Sequence, residues 1–480
     1  MLLGVFVAYL VIVLGLGVWS MKRSKTQSEY ILGGRRIPGT ALALSERATG
    51  ESAWLLLGLT GHAYAEGLSC IWTALGCVIG ILFIWFAMSR RLREETERTG
   101  ALTVPGLISR RFPGSEKAVG LLSAFVIIFF FLFYIAAQFA GAGTVLQSTF
   151  GIAPFWGTVI GAVVVTLYCF LGGFIAVVVT DVFQSVLMIF TLVVLPVIGL
   201  FALAGDNLSI ASALREAGPA LSTVTAGKTG FAAVLFVLSG LSWMFGYTGQ
   251  PQLLTRMMAM RSDADVKRAR WTAAVWTILA YAGALLIGMI AFATVSGGVL
   301  SEPEAGPEGA MPMLALFLLS PLLAGICLSG AISAMMSTAD SELLVCSSSA
   351  SEDVYATTAK RRMSPGAMLR LTRLLTLGVG ALAFILAVSV KDTVFGLVSY
   401  AWSGLGSSFG PVLLLLLFWK GLSRAGVFAS LISGTLGTVV WKNFFLVSTG
   451  VSERLASFVF AFLMAVVFSL LMPEWERTEG

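Results

Sequence analysis

The sequence predicts an all-α polytopic membrane protein. Of its 480 residues, 57% are hydrophobic and only 12% are charged, about half the ~25% charged share of a typical soluble domain. Apolar runs of roughly 20 residues, the length of helix that a ~30 Å hydrocarbon core requires, recur from one end of the chain to the other. The runs are continuous and do not alternate with period two, which argues against a barrel.

About thirteen candidate spans follow in order. The first, 2–20, lacks a basic segment before it and carries Lys22, Arg23 and Lys25 after it. That order predicts an uncleaved helix with its N-terminus outside, not a signal peptide. The second, 40–60, is preceded by Pro38 and Gly39 and holds Glu46, Arg47, Gly50 and Glu51 amid apolar sequence. Charges at membrane depth are expensive and point to function. The third, fourth and fifth, 67–89, 118–147 and 155–173, are plain apolar runs, and the sixth, 176–204, follows a GGF turn at 172–174 and carries Asp181 near its start. The seventh, 230–253, contains MFGYTGQP, with Gly246, Gly249 and Pro251 in close succession. The eighth is 271–298. The ninth, 311–345, is long enough to be tilted or to run past the surface. The last four are 373–390, 394–419, 426–446 and 454–472.

An odd number of spans with the N-terminus outside puts the C-terminus inside. Most of the 31 Lys and Arg then fall in inner segments, at 22–36, 90–117, 256–270, 360–373 and 420–424, with Arg477 at the end. Arg215, Lys228, Lys391, Lys442 and Arg454 lie outside or near the outer surface, and only Arg47 is left in the membrane. That bias is the positive-inside pattern and not a nucleic-acid face. Residues 1–480 read as one membrane domain in a bacterial inner membrane, with no nucleic acid and no obligate protein partner among its expected contacts. The five cysteines sit in apolar segments without metal spacing and read as small core residues. The single histidine, His62, reads as a solvated loop residue, with no zinc motif around it. AGKTG at 226–230 lacks the glycine that would begin a phosphate loop, which argues against ATP-driven work.

Glycine and proline weaken a helix interior, and in lipid the freed backbone groups are tolerated only around a cavity or inside protein. With the first span set aside, the two interrupted helices are the first and sixth of a five-plus-five arrangement. Paired interruptions at corresponding places point to an inverted-repeat transporter, with the site at the breaks; the alternative is a pair of kinks with a packing role. The expected division is an extra helix at 2–20, repeat one at 40–204, repeat two at 230–419, and two further helices at 426–472.

Arg47 and Glu51 are four apart and share a helix face, whereas Glu46 is expected to face elsewhere. The pair either lines a polar cavity, shaping a substrate site or gate, or neutralises itself and fixes packing. In the ninth span, Ser337 and Thr338 stand beside Ala334, Asp340, Ser341 and Glu342. Hard cations take several oxygen ligands, which these hydroxyls and the carbonyls of a broken helix would supply; alternatively the hydroxyls cap carbonyls. Asp181 is a candidate for a second cation site or an interfacial helix-end carboxylate.

YILGGRRIPG, SAWLLLGLTG, CFLGGFIAVVVTDVFQSVLMIF, GYTGQPQLLTRMMA, MMSTADSELLVCSSSASEDVY and GLVSYAWSGLGSSFGPV, in this order and nearly end to end, resemble the sodium:solute symporter family, nearest to its bacterial sodium/proline members. The resemblance implies a LeuT-type five-plus-five inverted repeat, no enzymatic activity, and import of a small zwitterionic amino acid, L-proline above all, with sodium as coupling ion and no other cofactor. It implies a sodium site of the carbonyls of Ala48, Glu51 and Ala334 with the hydroxyls of Ser337 and Thr338. A second cation site would map to Asp181, Ser337, Asp340 and Ser341. Ser52, Ala53, Trp54, Tyr134, Trp243, Tyr247 and Pro251 would line the substrate site, to which this chain adds Arg47, Glu51 and Gln138. The proline symporters carry aspartate where this chain has Gly50, and a neutral residue where it has Glu51. One step on a helix turns a side chain by about 100°, so Glu51 takes over the acid's place only if the break reorients it. A second reading keeps the fold but carries another amino acid or carboxylate, with a proton through Asp340 or Glu51. A third, from another class, is a membrane sensor without net transport.

Overall fold

Backbone groups in lipid find no water, so a spanning segment must satisfy its hydrogen bonds internally. The computed structural model describes residues 1–21, 31–171, 173–355, 358–359 and 363–474, and these contain helices and turns but no strand. Ten of the described helices are long and apolar enough to cross a membrane, and three shorter apolar ones accompany them. The predicted basic residues Lys22, Arg23, Lys25, Lys360, Arg361, Arg362 and Arg477, and Gly172 of the predicted turn, lie outside the described residues.

The chain begins with α1 (Leu2–Met21). The second span is α2 (Gly39–Ala53), a π-helical turn at Trp54–Leu59, and α3 (Thr60–Glu66). The third is α4 (Ile71–Phe83), continued through Ile84–Met88 into the charged α5 (Ser89–Thr99). Then come α6 (Glu116–Phe150), α7 (Pro154–Leu171) and α8 (Phe174–Gly205). The seventh span is in pieces: α9 (Gly230–Leu241), α10 (Trp243–Tyr247) and α11 (Pro251–Met258). It is followed by α12 (Asp263–Ser296), α13 (Ala310–Leu318), α14 (Pro321–Ser348), α15 (Pro365–Ser389), α16 (Val394–Phe418), α17 (Arg424–Val440) and α18 (Glu453–Leu471).

The expected ninth span at 311–345 is thus two helices. Leu319 turns extended, and Pro321, which has no N–H to offer a preceding turn, opens α14 at a first helical position where none is needed. The segment 205–229 also holds short helices, at Ile210–Glu216 and Pro219–Ser222.

α14 is central. Its most apolar window is 83% buried, against 22% for the span at Gly230–Tyr247. It packs on α2, α6 and α8, while α1 covers the seam between α8 and α14. α12 lies against α2 and α8, and α16 joins α6 to the terminal pair α17 and α18. Between membrane helices small residues permit close approach. A Cβ on Gly406 of α16 would stand 2.6 Å from the Cα of Gly246 in α10, so the two backbones meet directly. The broken seventh span is thereby pinned to α16, and the broken second span to α14.

Candidate functional site

The break in the second span lies at Ser52, two residues beyond Gly50, which stays helical. Ser52 has φ 39° and ψ −172°, a left-handed conformation that a residue with a Cβ adopts only under strain, at about 1–3 kcal/mol. The amides it diverts are met by side chains. Ala53 N–H donates to Gln138 Oε1 at 2.9 Å, and Trp54 N–H to Ser52 Oγ at 3.0 Å. Tyr134 donates to the same Ser52 Oγ at 3.3 Å. Because Ala53 N–H is turned to Gln138, the Thr49 carbonyl is free for α14, where Thr338 Oγ1 donates to it at 2.8 Å. Ser337 Oγ lies 3.0 Å from the Ala48 carbonyl and 3.1 Å from that of Ala334. Of the expected sodium ligands, Ala48, Ala334 and Ser337 therefore converge, and Thr338 joins them through Thr49. The Glu51 carbonyl receives Trp54 N–H instead.

Around the same break a buried ionic network forms. Arg47 is gripped on two sides. Its Nε donates to Glu46 Oε2 at 2.6 Å and its second amino group to Glu46 Oε1, while NH1 donates to Glu51 Oε1 at 2.6 Å. The expectation that Glu46 faces elsewhere is overturned: the long arginine side chain folds back on its neighbour, which Trp85 Nε1 also supports at 2.8 Å. Tyr281 donates to Glu51 Oε2 at 2.6 Å, and its oxygen lies 2.8 Å from that of Tyr247. The network runs from Trp85 through two carboxylates and one guanidinium to two phenols. All of these side chains are buried, so each charge depends on the others for solvation.

Those phenols border an aromatic cage. Trp54 and Trp243 have ring centroids 4.5 Å apart. Trp402 packs edge-on against Tyr247 at 4.9 Å and Tyr134 at 5.8 Å. Phe395 covers Trp54 at 6.1 Å and Trp243 at 5.5 Å. His62, expected in solvent, is half-buried and stacked on Phe395 at 4.3 Å. The Glu308 carboxylate accepts the backbone N–H groups of Val394 and Phe395 at 3.1 and 2.9 Å, capping α16 just where this cover sits. Arg454, expected near the outer surface, places its guanidinium over the Trp243 ring at 4.4 Å. Pro251 opens α11 beyond the cage and lines a crevice that also reaches Ile31, Leu102, Arg256 and Ser341.

A second polar cluster lies beside the first. Asp181 is fully buried, two turns inside α8, not at its start near the surface. Its Oδ2 accepts from Ser45 Oγ at 2.6 Å, Thr49 Oγ1 at 3.3 Å and an Arg256 amino group at 3.1 Å. The same amino group donates to Ser341 Oγ at 2.6 Å, and Ser341 reaches Asp340 Oδ1 at 3.2 Å and the Ser337 carbonyl at 2.8 Å. Asp181, Ser337, Asp340 and Ser341 are thus brought together, with a guanidinium among them. Arg256, expected in an inner loop, is 1% exposed.

Arg256, Ser45, Thr49, Tyr281 and Trp402 were not singled out from sequence. Thr49 and Ser45 sit within the SERATGES stretch and share a face with Ser52, which could have signalled them. The others carry no local signal: they matter only because α11, α12 and α16 deliver them to α2.

Comparison with known proteins agrees in outline. Residues 30–434 match the family described as sodium:solute symporter family. The high-affinity proline transporter PutP of Bacillus subtilis is 36% identical over 96% of this chain and 95% of its own. A sodium/proline symporter of Escherichia coli is also 36% identical, over 97% of this chain and 92% of its own. Among solved structures, the substrate-bound outward-open state of a Na+-coupled sialic acid symporter superposes with TM-score 0.81 at 18% identity, covering 98% of each chain. MhsT in complex with L-phenylalanine gives 0.54 at 15% identity, covering 90% of this chain and 97% of that one.

Proposed function

The chain belongs to the sodium:solute symporter family, and from that premise we propose that it imports L-proline with sodium by alternating access. It is a multi-pass membrane protein, in our reading of a bacterial inner membrane. The observation that carries the coupling is Ser337, whose hydroxyl meets the Ala48 carbonyl of the broken second span and the Ala334 carbonyl of its own helix. A cation there, shared with Thr338, would tie α2 to α14. Arg47, Glu51, Ser52, Ala53, Trp54, Tyr134, Gln138, Trp243, Tyr247 and Pro251 would form the substrate site. In it Gln138 acts by fixing Ala53, and Glu51 is aimed at the cage through Tyr281 and Tyr247. The break at Ser52, and not a substitution at Gly50, would give Glu51 the role of the acid that relatives carry one position earlier.

Alternating access needs a cover on each side. Phe395, held by Glu308 and resting on His62, Trp54 and Trp243, fits the outer cover. The crevice from Ile31 and Leu102 to Arg256 fits the inner exit. A second cation at Asp181, Asp340, Ser337 and Ser341 would bind there only as the Arg256 guanidinium withdraws, since like charges at that distance repel. The stretch Gly39–Thr99 is 61 residues, about 90 Å of helix and enough for two passes. Counting it so, and adding Leu2–Gly17 and Pro154–Leu167, supports a reading of thirteen passes, for which the distribution of Lys and Arg would put the N-terminus outside and the C-terminus inside. Repeat one then runs over about 40–204 and repeat two over about 230–419.

The test is uptake of labelled L-proline into proteoliposomes with and without an inward sodium gradient. Accumulation that depends on the gradient is expected; equal uptake with potassium in place of sodium would overturn the coupling.

A further inference from the structure

Where α18 meets the cage, hydrogen-bond donors collect without acceptors. The indole N–H groups of Trp54 and Trp243 and the Nε of Arg454 are buried and have no partner. The three groups are close: the indole rings lie 4.5 Å apart and the guanidinium stands 4.4 Å above one of them. Arg454 is anchored from below, through Ser399 Oγ and, at 3.4 Å, Glu453 Oε1. That ion pair is long for a hydrogen bond, and the same Glu453 oxygen already accepts from Ser399 Oγ at 2.8 Å. The contact with Trp243 stabilises the cation but provides no acceptor for its N–H groups.

Buried donors left unpaired are costly, and three at one place call for an acceptor-only ligand. A carboxylate has that character, and its two oxygens match the planar fork of a guanidinium. An ammonium, which only donates, would worsen the surplus. The complementary groups border the same cage: Tyr281, whose ring lies 6.1 Å from that of Trp54, joins Glu51 and Tyr247 in presenting oxygens. We propose that Arg454, Trp54 and Trp243 bind the carboxylate of the cargo, with its ammonium turned toward Glu51. This rests on the reading of the chain as an importer of a zwitterion; it adds the orientation of the cargo and a specificity-determining residue from the last helix, outside both repeats.

The experiment is kinetics of labelled L-proline uptake in proteoliposomes, with unlabelled L-proline or L-prolinamide, which lacks the carboxylate, as competitor. Wild-type protein is expected to prefer L-proline over the amide strongly. Arg454→Gln should raise the KM for proline about 10- to 100-fold with kcat within about twofold, and should erase most of the preference over the amide. Arg454→Lys, which keeps the charge and loses the fork, should fall between. Trp243→Phe, which keeps the ring and loses one donor, should shift KM in the same direction by less and serves if the arginine variants fold poorly. Active wild type with unchanged KM and unchanged discrimination in the variants overturns the carboxylate site alone. Wild type with no proline uptake overturns the transport reading, and the site's cargo with it.

Discussion

At the scale of single residues, Arg47 is the charge on which its neighbours depend. Glu46 and Glu51 hold it from either side in a fully buried setting. Removing one partner of such a set leaves uncompensated charge, whereas replacing the whole set by neutral groups is close to neutral. Arg47→Met is therefore expected to destabilise the protein by about 3–5 kcal/mol, and the triple change Glu46→Gln, Arg47→Met, Glu51→Gln to recover most of that loss. Thermal unfolding of the purified variants decides it; a single variant as stable as the triple would mean that the carboxylates have another counter-charge. Part of this network was legible in sequence, because Arg47 and Glu51 obey the four-residue rule for a helix face. Glu46 was not: adjacent residues diverge on an ideal helix, and only the length of the arginine side chain lets it turn back. Arg256 falls just past the expected end of the seventh span at 253, where a basic residue reads as an inner-loop charge. Its partners Ser45, Asp181 and Ser341 come from three other helices, and no spacing rule within one helix reaches them.

At the scale of elements, the breaks organise the site, and each is held open by a different device. In the second span a strained Ser52 diverts the Ala53 and Trp54 amides to side chains, which leaves the Thr49 carbonyl to Thr338 of α14, beside the Ala48 carbonyl that meets Ser337. Glycine content located this break within two residues but not at the residue that bends, since Gly50 is helical while Ser52 supplies its own acceptor for Trp54 N–H. In the seventh span Gly246 lets α10 touch α16 at Gly406. A methyl on Gly406 would meet backbone at 2.6 Å, and backbone cannot step aside as a side chain can. Gly406→Ala is expected to cost about 1–3 kcal/mol and to loosen the cage wall at Trp402. Gly378 in α15 has nothing within 4 Å of its would-be Cβ, so Gly378→Ala should be neutral or stabilising by up to about 1 kcal/mol. Unfolding midpoints of the two variants make the comparison, and equal losses would remove the argument from helix contact. The split of the expected ninth span had a visible signal in Ser320 and Pro321, but a run of apolar residues on both sides masked it.

At the scale of the whole molecule, the Ser337 contacts and the Asp181 cluster both join α2 to α14, and the cage receives Trp54 from the turn that ends α2, so ion and cargo would both act on α2. The Ser337 hydroxyl spans the seam between these helices, and Ser52, four residues beyond Ala48, leads into the cage through Tyr134. A cation that draws α2 and α14 together would thereby set the Ser52 bend and the position of Trp54. Linkage then requires reciprocity: if sodium tightens proline binding by some factor, proline must tighten sodium binding by the same factor, commonly about 5- to 150-fold. Ser337→Ala deletes the bridging hydroxyl but touches no residue of the cage. It should raise the sodium concentration needed for half-maximal proline binding by about tenfold or more, as one charge-assisted ligand contact is lost, while proline affinity at saturating sodium stays near the wild-type value. Binding of labelled proline to purified protein over a sodium series measures both quantities. A variant whose proline affinity falls equally at every sodium concentration would place Ser337 in the cargo site instead, and an unchanged sodium requirement would move the coupling ion elsewhere, with the Asp181 cluster the next place to look.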